Sequence, residues 1–264
     1  MTLDPGMTGR PDRPVEGIDN GYLAAYRVRF DEAGADGRLR TSALLRYAQD
    51  IAWRHSEDLG FDRTWYTEKG RWWVVRAVAL EVLAPVRMGE TLRLATAVIG
   101  HRRIWARRRG EFRLPDGTLA ALVHTDWVIV DERGRILRIP EDFGHAFPNP
   151  ALHGETLRVA APPTPHDAAR LEIRVRPQDL DPMAHVNNAV YLDWIEEAVA
   201  AAGDSEVTTA TPRRVAIEYA ASAEAGDALE ARAWPESDGW WVRIVRPADG
   251  SEVVRGRLGP LPAD

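Results

Sequence analysis

The 264-residue sequence contains no cysteine. That absence excludes disulfide bridges, thiolate metal sites and cysteine nucleophiles. Because a cysteine-free chain fits a reducing compartment, we expect a cytoplasmic protein. Long apolar runs are also missing: no stretch has the roughly 20 apolar residues that a membrane-spanning helix requires. The N-terminus has no apolar core of a signal peptide, so we expect no membrane insertion.

Positive charge is outnumbered by negative charge, with 34 Lys and Arg residues against 40 Asp and Glu residues. The formal net charge is −6 and the isoelectric point is about 5.7, which argues against nucleic acid as the main partner. The histidines form no His-Glu-x-x-His pattern, and we expect no metal site. Neither a G-x-S-x-G elbow nor a phosphate-binding loop is present, which disfavours an α/β-hydrolase or a nucleotidase. The hydrophobic content of 45% is enough for one large core or two modest ones.

Two segments lack any periodicity. Residues 1–20 are rich in Pro, Gly, Asp and Arg, and this composition predicts a flexible leader. Residues 144–168 contain five prolines and predict a linker. The linker separates an N-terminal half, residues 21–143, from a C-terminal half, residues 169–264.

Parts of the two halves align with each other: Val28–Ala52 matches Val175–Val199 without a gap, and a shorter echo matches Ala79–Leu92 with Ala216–Leu229 at an offset of 137. At a constant offset of 147 residues, Val28 falls on Val175 and Tyr47 falls on Trp194. Each copy begins with an alternating strand, which in the first copy places Tyr26, Val28 and Phe30 on one face. A polar loop and an amphipathic helix follow in both copies. We expect the helix caps at Thr41 or Ser42 in the first copy and at Asn187 or Asn188 in the second.

Four further strands follow each helix. Alternating apolar residues and intervening turn residues predict them at 72–83, 91–99, 104–114, 119–130, 214–221, 228–235, 240–246 and 252–258. A helix with one apolar stripe and a long antiparallel sheet bury each other's apolar faces. The sequence therefore predicts an α+β tandem (double) hotdog fold, in which each half wraps its sheet around a helix. Two independent α+β domains on a flexible tether are the alternative.

The polar loop before the second helix differs sharply between the copies. It carries Asp181, His185, Asn187 and Asn188, where the first copy has Gly34, Arg38, Arg40 and Thr41. A carboxylate four residues from an imidazole, beside a helix N-terminus, supplies a base, a second proton carrier and N–H groups for an oxyanion. Asp181 could activate water or attack directly, whereas an Asx-rich cap with a hydrogen-bonded histidine is the purely structural alternative.

The stretch "DLDPMAHVNNAVYLDW" resembles the signature of hotdog thioesterases of the 4-hydroxybenzoyl-CoA thioesterase-like superfamily. The tandem arrangement, with the signature in the second half, resembles the acyl-acyl-carrier-protein (acyl-ACP) thioesterases of plants and bacteria. The resemblance implies hydrolysis of a fatty-acyl thioester to a free acid, without metal or organic cofactor. It implies catalytic roles for Asp181 and His185. We further expect helper roles for Asn187 and Asn188, and substrate contacts by Tyr191, Trp194 and Glu218.

Two departures from the family pattern bear on the mechanism. Met183 stands where acyl-ACP enzymes usually have Asn, and Ser222 and Ala223 stand where they carry an acidic residue often followed by Cys. Since methionine cannot supply an amide and serine is no charged base, we expect Asp181 to act first, His185 second and Ser222 only as a polar helper. An acyl-CoA thioesterase, a hotdog dehydratase and a non-catalytic acyl-binding module remain alternatives. A homodimer is a further expectation.

Five arginines lie between Arg102 and Arg109. They could dock an acidic carrier protein or the phosphates of coenzyme A. The alternation of the segment favours a simpler interpretation, in which the arginines form the solvent face of an amphipathic strand, and we expect that arrangement.

Overall fold

The computed structural model describes residues 21–147 and 155–261. The predicted leader lies outside the described residues, as does the stretch 148–154 within the predicted linker. The chain divides into two units, and the division passes through a strand. The first unit comprises the residues up to Arg76 together with Ala84–Thr156, and the second comprises Ala77–Leu83 together with the residues from Leu157 onwards.

The first unit contains three helices and most of five strands. In chain order they are β1 (Gly21–Arg27), α1 (Thr41–Asp58), α2 (Arg63–Lys69), β2 (Arg71–Val82), β3 (Thr91–His101), β4 (Trp105–Arg113), β5 (Leu119–Asp131) and α3 (Glu141–Ala146). The strand order is β1-β3-β4-β5-β2. Helix α1 buries an apolar stripe that includes Leu44, Tyr47 and Ile51, each no more than 5% exposed.

The second unit repeats this plan. Its elements are β6 (Ala169–Arg174), α4 (Asn188–Ala201), β7 (Arg213–Tyr219), β8 (Ala228–Glu236), β9 (Gly239–Val245) and β10 (Glu252–Gly259). The strand order is β7-β10-β9-β8-β6, which is the order of the first unit with each strand replaced by its repeat partner. The second half of β2, Ala77–Val82, belongs to this unit and pairs antiparallel with β7.

Helix α4 lies directly on the sheet of its unit. It buries Tyr191, Leu192, Trp194 and Ile195, each no more than 5% exposed. A Cβ atom added at Gly256 of β10 would lie 2.7 Å from Cδ1 of Ile195. The missing side chain at Gly256 therefore lets the middle of the helix approach the sheet closely.

The predicted α+β class is confirmed: antiparallel strands dominate both units, and helices are few. All eight predicted strands after the helices occur within two residues of their predicted ends. Helices α2 and α3 had no sequence prediction. Both are short, and they are held by aromatic packing around Phe61 rather than by a long periodic stripe.

Three local predictions were wrong. Phe30 lies in a short 3₁₀ turn after β1 and is 85% exposed. Helix α1 begins at Thr41, and its cap residue Arg40 makes no side-chain capping bond, so neither Thr41 nor Ser42 caps it. The third error concerns the arginine-rich strand: Arg108 faces the interior and is 8% exposed.

Candidate functional site

A closed turn precedes α4 and carries the predicted reactive residues. The N–H of Asp181 donates to the carbonyl of His185 (2.8 Å), and the N–H of Ala184 donates to the carbonyl of Asp181 (2.9 Å). Ala184 adopts a left-handed backbone conformation with φ of 62°, which an alanine rarely does. The turn therefore folds back on itself immediately before the helix.

One oxygen of the Asp181 carboxylate stabilises this turn and the other does not. Oδ1 accepts from the backbone N–H groups of Met183 (2.8 Å) and His185 (3.4 Å). Within the described residues the structure gives Oδ2 no hydrogen bond. The side chain is half-buried, so Oδ2 is available to a water molecule or a substrate atom.

His185 lies four residues further on and is exposed. Its backbone belongs to the turn, but its imidazole has no hydrogen-bond or ion-pair partner in the part of the chain that the structure describes. Met183 is 45% exposed on the same turn.

The N-terminus of α4 follows immediately. Asn187 caps the helix, because its side-chain oxygen accepts from the N–H of Ala189 (2.9 Å) and its carbonyl accepts from the N–H of Val190 (2.9 Å). The N–H of Asn188, the first helical residue, has no acceptor among the described residues. A free N–H at the positive end of a 14-residue helix can stabilise a developing oxyanion.

Two buried tyrosines fix this helix start. The hydroxyl of Tyr219 donates to the carbonyl of Asn188 (3.0 Å), and the hydroxyl of Tyr191 accepts from the N–H of Ala223 (3.1 Å). Trp194 packs edge-on against Tyr191, with ring centroids 5.2 Å apart. Burial raises the pKa of both tyrosine hydroxyls, so they stay protonated and neutral at physiological pH.

The segment from Ser222 to Glu224 lies alongside the turn. The N–H of Val186 donates to the carbonyl of Ala223 (2.9 Å), which brings Ser222 near the predicted site. Ser222 is exposed, and its carbonyl accepts from Nη2 of Arg246 (2.5 Å). The structure thus brings Asp181, His185, Asn187, Asn188, Tyr191, Trp194 and Ser222 into one region of the second unit.

Glu218 contacts the chain segment around Val159 instead of the turn before α4. Adjacent strand residues point to opposite faces of a sheet, and Tyr219 points toward α4. The Glu218 carboxylate, 2% exposed, accepts from the backbone N–H of Val159 (3.0 Å) and from Arg158 (3.2 Å). It anchors the chain segment that leads into the second unit.

The corresponding turn of the first unit has the same backbone hydrogen bonds. Gly34 N–H donates to the carbonyl of Arg38 (2.8 Å), and Gly37 N–H donates to the carbonyl of Gly34 (3.0 Å). Gly37 has φ of 73°, matching Ala184. In this copy the Asp36 carboxylate accepts from the N–H of Arg38 (3.0 Å), the counterpart of the His185 N–H, so the turn forms without a carboxylate at the position of Asp181 or an imidazole at that of His185.

Sequence reasoning missed one residue that positions the turn. Asp179 is 3% exposed, accepts from the backbone N–H of Arg176 (2.8 Å) and offers its carbonyl to the N–H of Asn187 (2.9 Å). Its repeat partner Glu32 makes the same two contacts, to Arg29 (2.9 Å) and Arg40 (3.0 Å). An acidic residue shared by both copies was the available signal, and it indicates a structural role.

Within the described residues, no group of three or more His, Asp and Glu side chains is arranged to hold a metal ion. None of the helices described combines the length and apolar character needed to cross a membrane.

Two sequence models of one family match the chain. The model of the acyl-ACP thioesterase N-terminal domain matches residues 19–147, and the model of the acyl-ACP thioesterase C-terminal domain matches residues 164–245. The boundary between the two matches falls within the predicted linker, and together they cover well over half of the chain.

The chain is also similar to individual acyl-ACP thioesterases, both in sequence and in structure. The chain is 23% identical over 254 residues to the acyl-[acyl-carrier-protein] hydrolase FATB2 of Cuphea viscosissima chloroplasts, a match that covers 88% of the chain and 60% of that relative's length. The structure of the 12:0-ACP thioesterase of Umbellularia californica superposes with a TM-score of 0.76 at 21% identity, covering 90% of this chain and 96% of that one. An acyl-ACP thioesterase of Bacteroides thetaiotaomicron has a TM-score of 0.76 at 16% identity, with coverages of 91% and 98%.

Proposed function

The chain belongs to the acyl-ACP thioesterase family, and on that premise we propose that it hydrolyses a fatty-acyl thioester on acyl carrier protein, giving free fatty acid and carrier thiol. The observation that carries the proposal is the turn before α4. There, a carboxylate oxygen and a helix N–H group, neither with a hydrogen-bond partner among the described residues, lie in the same short segment.

We propose further that each unit is a hotdog copy and that only the second copy is catalytic. The shared strand order and the shared hydrogen bonds of the two turns support a duplicated scaffold. The first turn has Gly34 and Arg38 where the second has Asp181 and His185, which supports a single reactive turn.

In the proposed mechanism, Oδ2 of Asp181 takes a proton from a water molecule whose oxygen bonds to the thioester carbonyl carbon. The N–H of Asn188 donates to the carbonyl oxygen as it becomes negative. When the tetrahedral intermediate collapses, the carbon–sulfur bond breaks and His185 supplies a proton to the leaving thiolate. The proton that Asp181 took from water then replaces the one that His185 donated. General-base catalysis contributes roughly 10²- to 10⁴-fold, and one oxyanion donor contributes roughly 10²- to 10³-fold.

The other predicted residues have supporting roles in this proposal. Asn187 fixes the helix start, while Tyr191 and Trp194 form the buried frame behind it, next to the bound acyl group. Met183 offers no amide and Ser222 no negative charge, so the chemistry depends on Asp181. We assign the protein to the cytoplasm on the strength of its cysteine-free composition, whereas the named plant relative is chloroplastic.

Replacing Asp181→Asn tests the proposal. The amide oxygen of Asn can accept the same two backbone hydrogen bonds, so the turn should fold, but the amide cannot act as a base. We expect kcat to fall by roughly 10²- to 10⁴-fold, measured as release of free acid from acyl-ACP, with the melting temperature unchanged.

The matched control is Asp36→Asn in the first unit. Asp36 also stabilises its turn, by accepting from the N–H of Arg38 (3.0 Å), but the proposal gives it no chemical role. Turnover should remain near the wild-type rate. Near-normal turnover of Asp181→Asn would remove Asp181 from catalysis.

Acyl-CoA is the second candidate substrate, and Met183 is the observation that favours it. The stretch "DPMAHVNN" resembles single-domain acyl-CoA thioesterases, in which the aspartate is the main catalytic group. A comparison of kcat/KM for acyl-ACP and acyl-CoA of equal chain length decides between the carriers. Mass spectrometry of the products distinguishes hydrolysis from dehydration, and binding without turnover would indicate a non-catalytic acyl-binding module.

A further inference from the structure

The first unit contains a buried arginine that the proposed reaction does not use. Arg108 lies on β4, where Ala106 and Phe112 also face the interior, and it is 8% exposed. Its neighbours Arg107 and Arg109 lie on the opposite face, where Arg107 forms a bidentate ion pair with Asp126 (2.6 and 2.9 Å). Arg108 is therefore set apart from the arginines beside it in the sequence.

No carboxylate of the described residues compensates this charge. Nη1 of Arg108 donates to Nδ1 of His55 (3.0 Å) and to the hydroxyl of Thr96 (3.4 Å). The N–H groups on Nε and Nη2 have no acceptor among the described residues. Burial lowers the pKa of Arg108 to about 10, which still leaves it charged at neutral pH. A buried charge without a counter-ion costs much free energy.

His55 is part of the same interior group. It is 1% exposed. Because a guanidinium can only donate, Nδ1 of His55 must accept, and the imidazole is therefore neutral. A cationic and a neutral side chain thus meet in the interior, and neither of the two carries a negative charge.

Aromatic side chains surround this pair. The ring of Phe147 lies over the Arg108 guanidinium at 5.8 Å and contacts His55 edge-on at 5.3 Å. Phe147 belongs to a group that we call the aromatic cluster: Phe61, Tyr66, Phe143 and Phe147, with Trp65, Trp72 and Trp73 packed against them. The surroundings of the charge are suited to an apolar chain or ring rather than to water.

The fold does not need these polar groups. At the offset of 137, Leu94 of β3, which pairs with Phe112, corresponds to Ala231, which pairs with Ile244. Counting along these strands places Trp240 and Ala233 at the positions of Arg108 and Thr96, and the offset of 147 places Ala202 at that of His55. The second unit has no charged side chain at these positions, although Nε1 of Trp240 donates to the Asp204 carboxylate (2.8 Å), so the fold accommodates this region without an arginine.

We propose that Arg108, with His55 beside it, is a receptor for the carboxylate of an amphiphilic ligand whose apolar tail lies in the aromatic cluster. The carboxylate would accept from the unused N–H groups on Nε and Nη2 and neutralise the buried charge. A fatty carboxylate has this chemistry.

A source of that carboxylate follows from the proposed function, on which this part of the inference rests. It is the free fatty acid that hydrolysis releases, whose binding would inhibit the enzyme.

The primary test measures binding of a free ligand, without turnover. Dodecanoate and dodecanol are titrated, below their aggregation limits, while the fluorescence of the tryptophans in the aromatic cluster is followed. The wild-type chain should bind dodecanoate more tightly than dodecanol. In Arg108→Met the dodecanoate affinity should fall by about 10- to 100-fold, as expected for charge-assisted hydrogen bonds, and the dodecanol affinity should be unchanged.

Two controls exclude a general effect of charge or folding. Arg93→Met removes an exposed arginine of β3 in the same unit and should leave both affinities unchanged. Arg108→Met should unfold at a temperature equal to or above that of the wild type, since apolar replacement of a buried unpaired charge relieves a cost. Arg108→Lys, which keeps a charge, should retain part of the preference for the acid and covers the case in which the methionine variant is poorly folded.

Equal affinity of the wild type for acid and alcohol would overturn the proposal, as would an unchanged preference in Arg108→Met. A further assay tests the free fatty acid as the source: inhibition of hydrolysis by dodecanoate, which should weaken in Arg108→Met relative to the wild type. If no thioester is hydrolysed but the acid preference persists, the receptor stands and the proposed function fails.

Discussion

At the scale of single residues, the two repeated turns differ in how well their residues suit a left-handed conformation. Gly37 and Ala184 occupy equivalent positions, with φ of 73° and 62°. Glycine adopts this conformation without a steric penalty, whereas an alanine is strained by about 1 kcal/mol. The turn that carries Asp181 is thus the more strained of the two.

Exchanging these residues tests the difference. Gly37→Ala should lower the free energy of unfolding by about 1 kcal/mol, because it introduces the strain. Ala184→Gly should leave that free energy unchanged or raise it slightly, because relief of strain offsets the greater flexibility of the unfolded chain. Urea unfolding followed by circular dichroism measures both. Equal losses in the two variants would contradict the assignment of strain to Ala184.

Residue spacing predicted which side chains share the turn but not where each one points. The Asp-x₃-His-Val-Asn-Asn order placed four polar residues at one helix start because a short turn and a helix cap are local structures. The direction of Glu218 depends on the register of β7 with its neighbours, which only the assembled sheet fixes. For Arg108 a local signal did exist: Ala106, Gly110 and Phe112 alternate with the neighbouring arginines and mark the interior face.

At the scale of elements, the position of α4 depends on a small residue of the sheet. A methyl group at Gly256 would lie 2.7 Å from Cδ1 of Ile195, far inside van der Waals contact. Overpacking of this kind costs about 1–3 kcal/mol. Since α4 carries the Asn188 N–H at its start, a displaced helix would also disturb the proposed oxyanion donor.

A double-mutant cycle tests this contact. Gly256→Ala should destabilise the protein by about 1–3 kcal/mol, and Ile195→Val, which removes Cδ1, should recover part of that loss in the double variant. Gly110→Ala is the control, because its added methyl would meet Val123 at 2.8 Å in the first unit and should not be relieved by Ile195→Val. Additive losses for Gly256→Ala and Ile195→Val would contradict the contact.

Elements with strong local signals were predictable, and those held by tertiary contacts were not. The strands followed from alternation and from turns such as "PDG" and "ESDG". Helix α2 spans only Arg63–Lys69, and its apolar residues Trp65 and Tyr66 join an aromatic cluster assembled from distant parts of the chain. Such a helix gains its stability from packing, which a single sequence does not reveal.

At the scale of the whole molecule, the two structural units do not coincide with the two sequence halves on either side of the linker. The difference arises because part of strand β2 belongs to the second unit. Residues 77–83 precede the linker by more than 60 positions in the sequence, yet they belong to the second unit. There, Ala77 pairs with Glu218 and Val82 pairs with Arg213. A C-terminal fragment that begins after the linker would therefore leave one edge of β7 unpaired.

We predict that the isolated fragment 157–264 does not fold as a stable monomer. In the fragment the unpaired edge of β7 is exposed, although β7 carries residues such as Val215 and Ile217 that are buried in the whole chain. Such an edge pairs readily with another chain, so the fragment should associate or remain unfolded. Size-exclusion chromatography with light scattering, together with circular dichroism, measures this.

A synthetic peptide of residues 75–84, added in excess, should restore a folded species with one fragment and one peptide. The same peptide with Ala79→Pro, which removes one backbone N–H and cannot continue a central strand, should fail to do so. A fragment that is monomeric and unfolds cooperatively without the peptide would show that β2 is dispensable for the second unit.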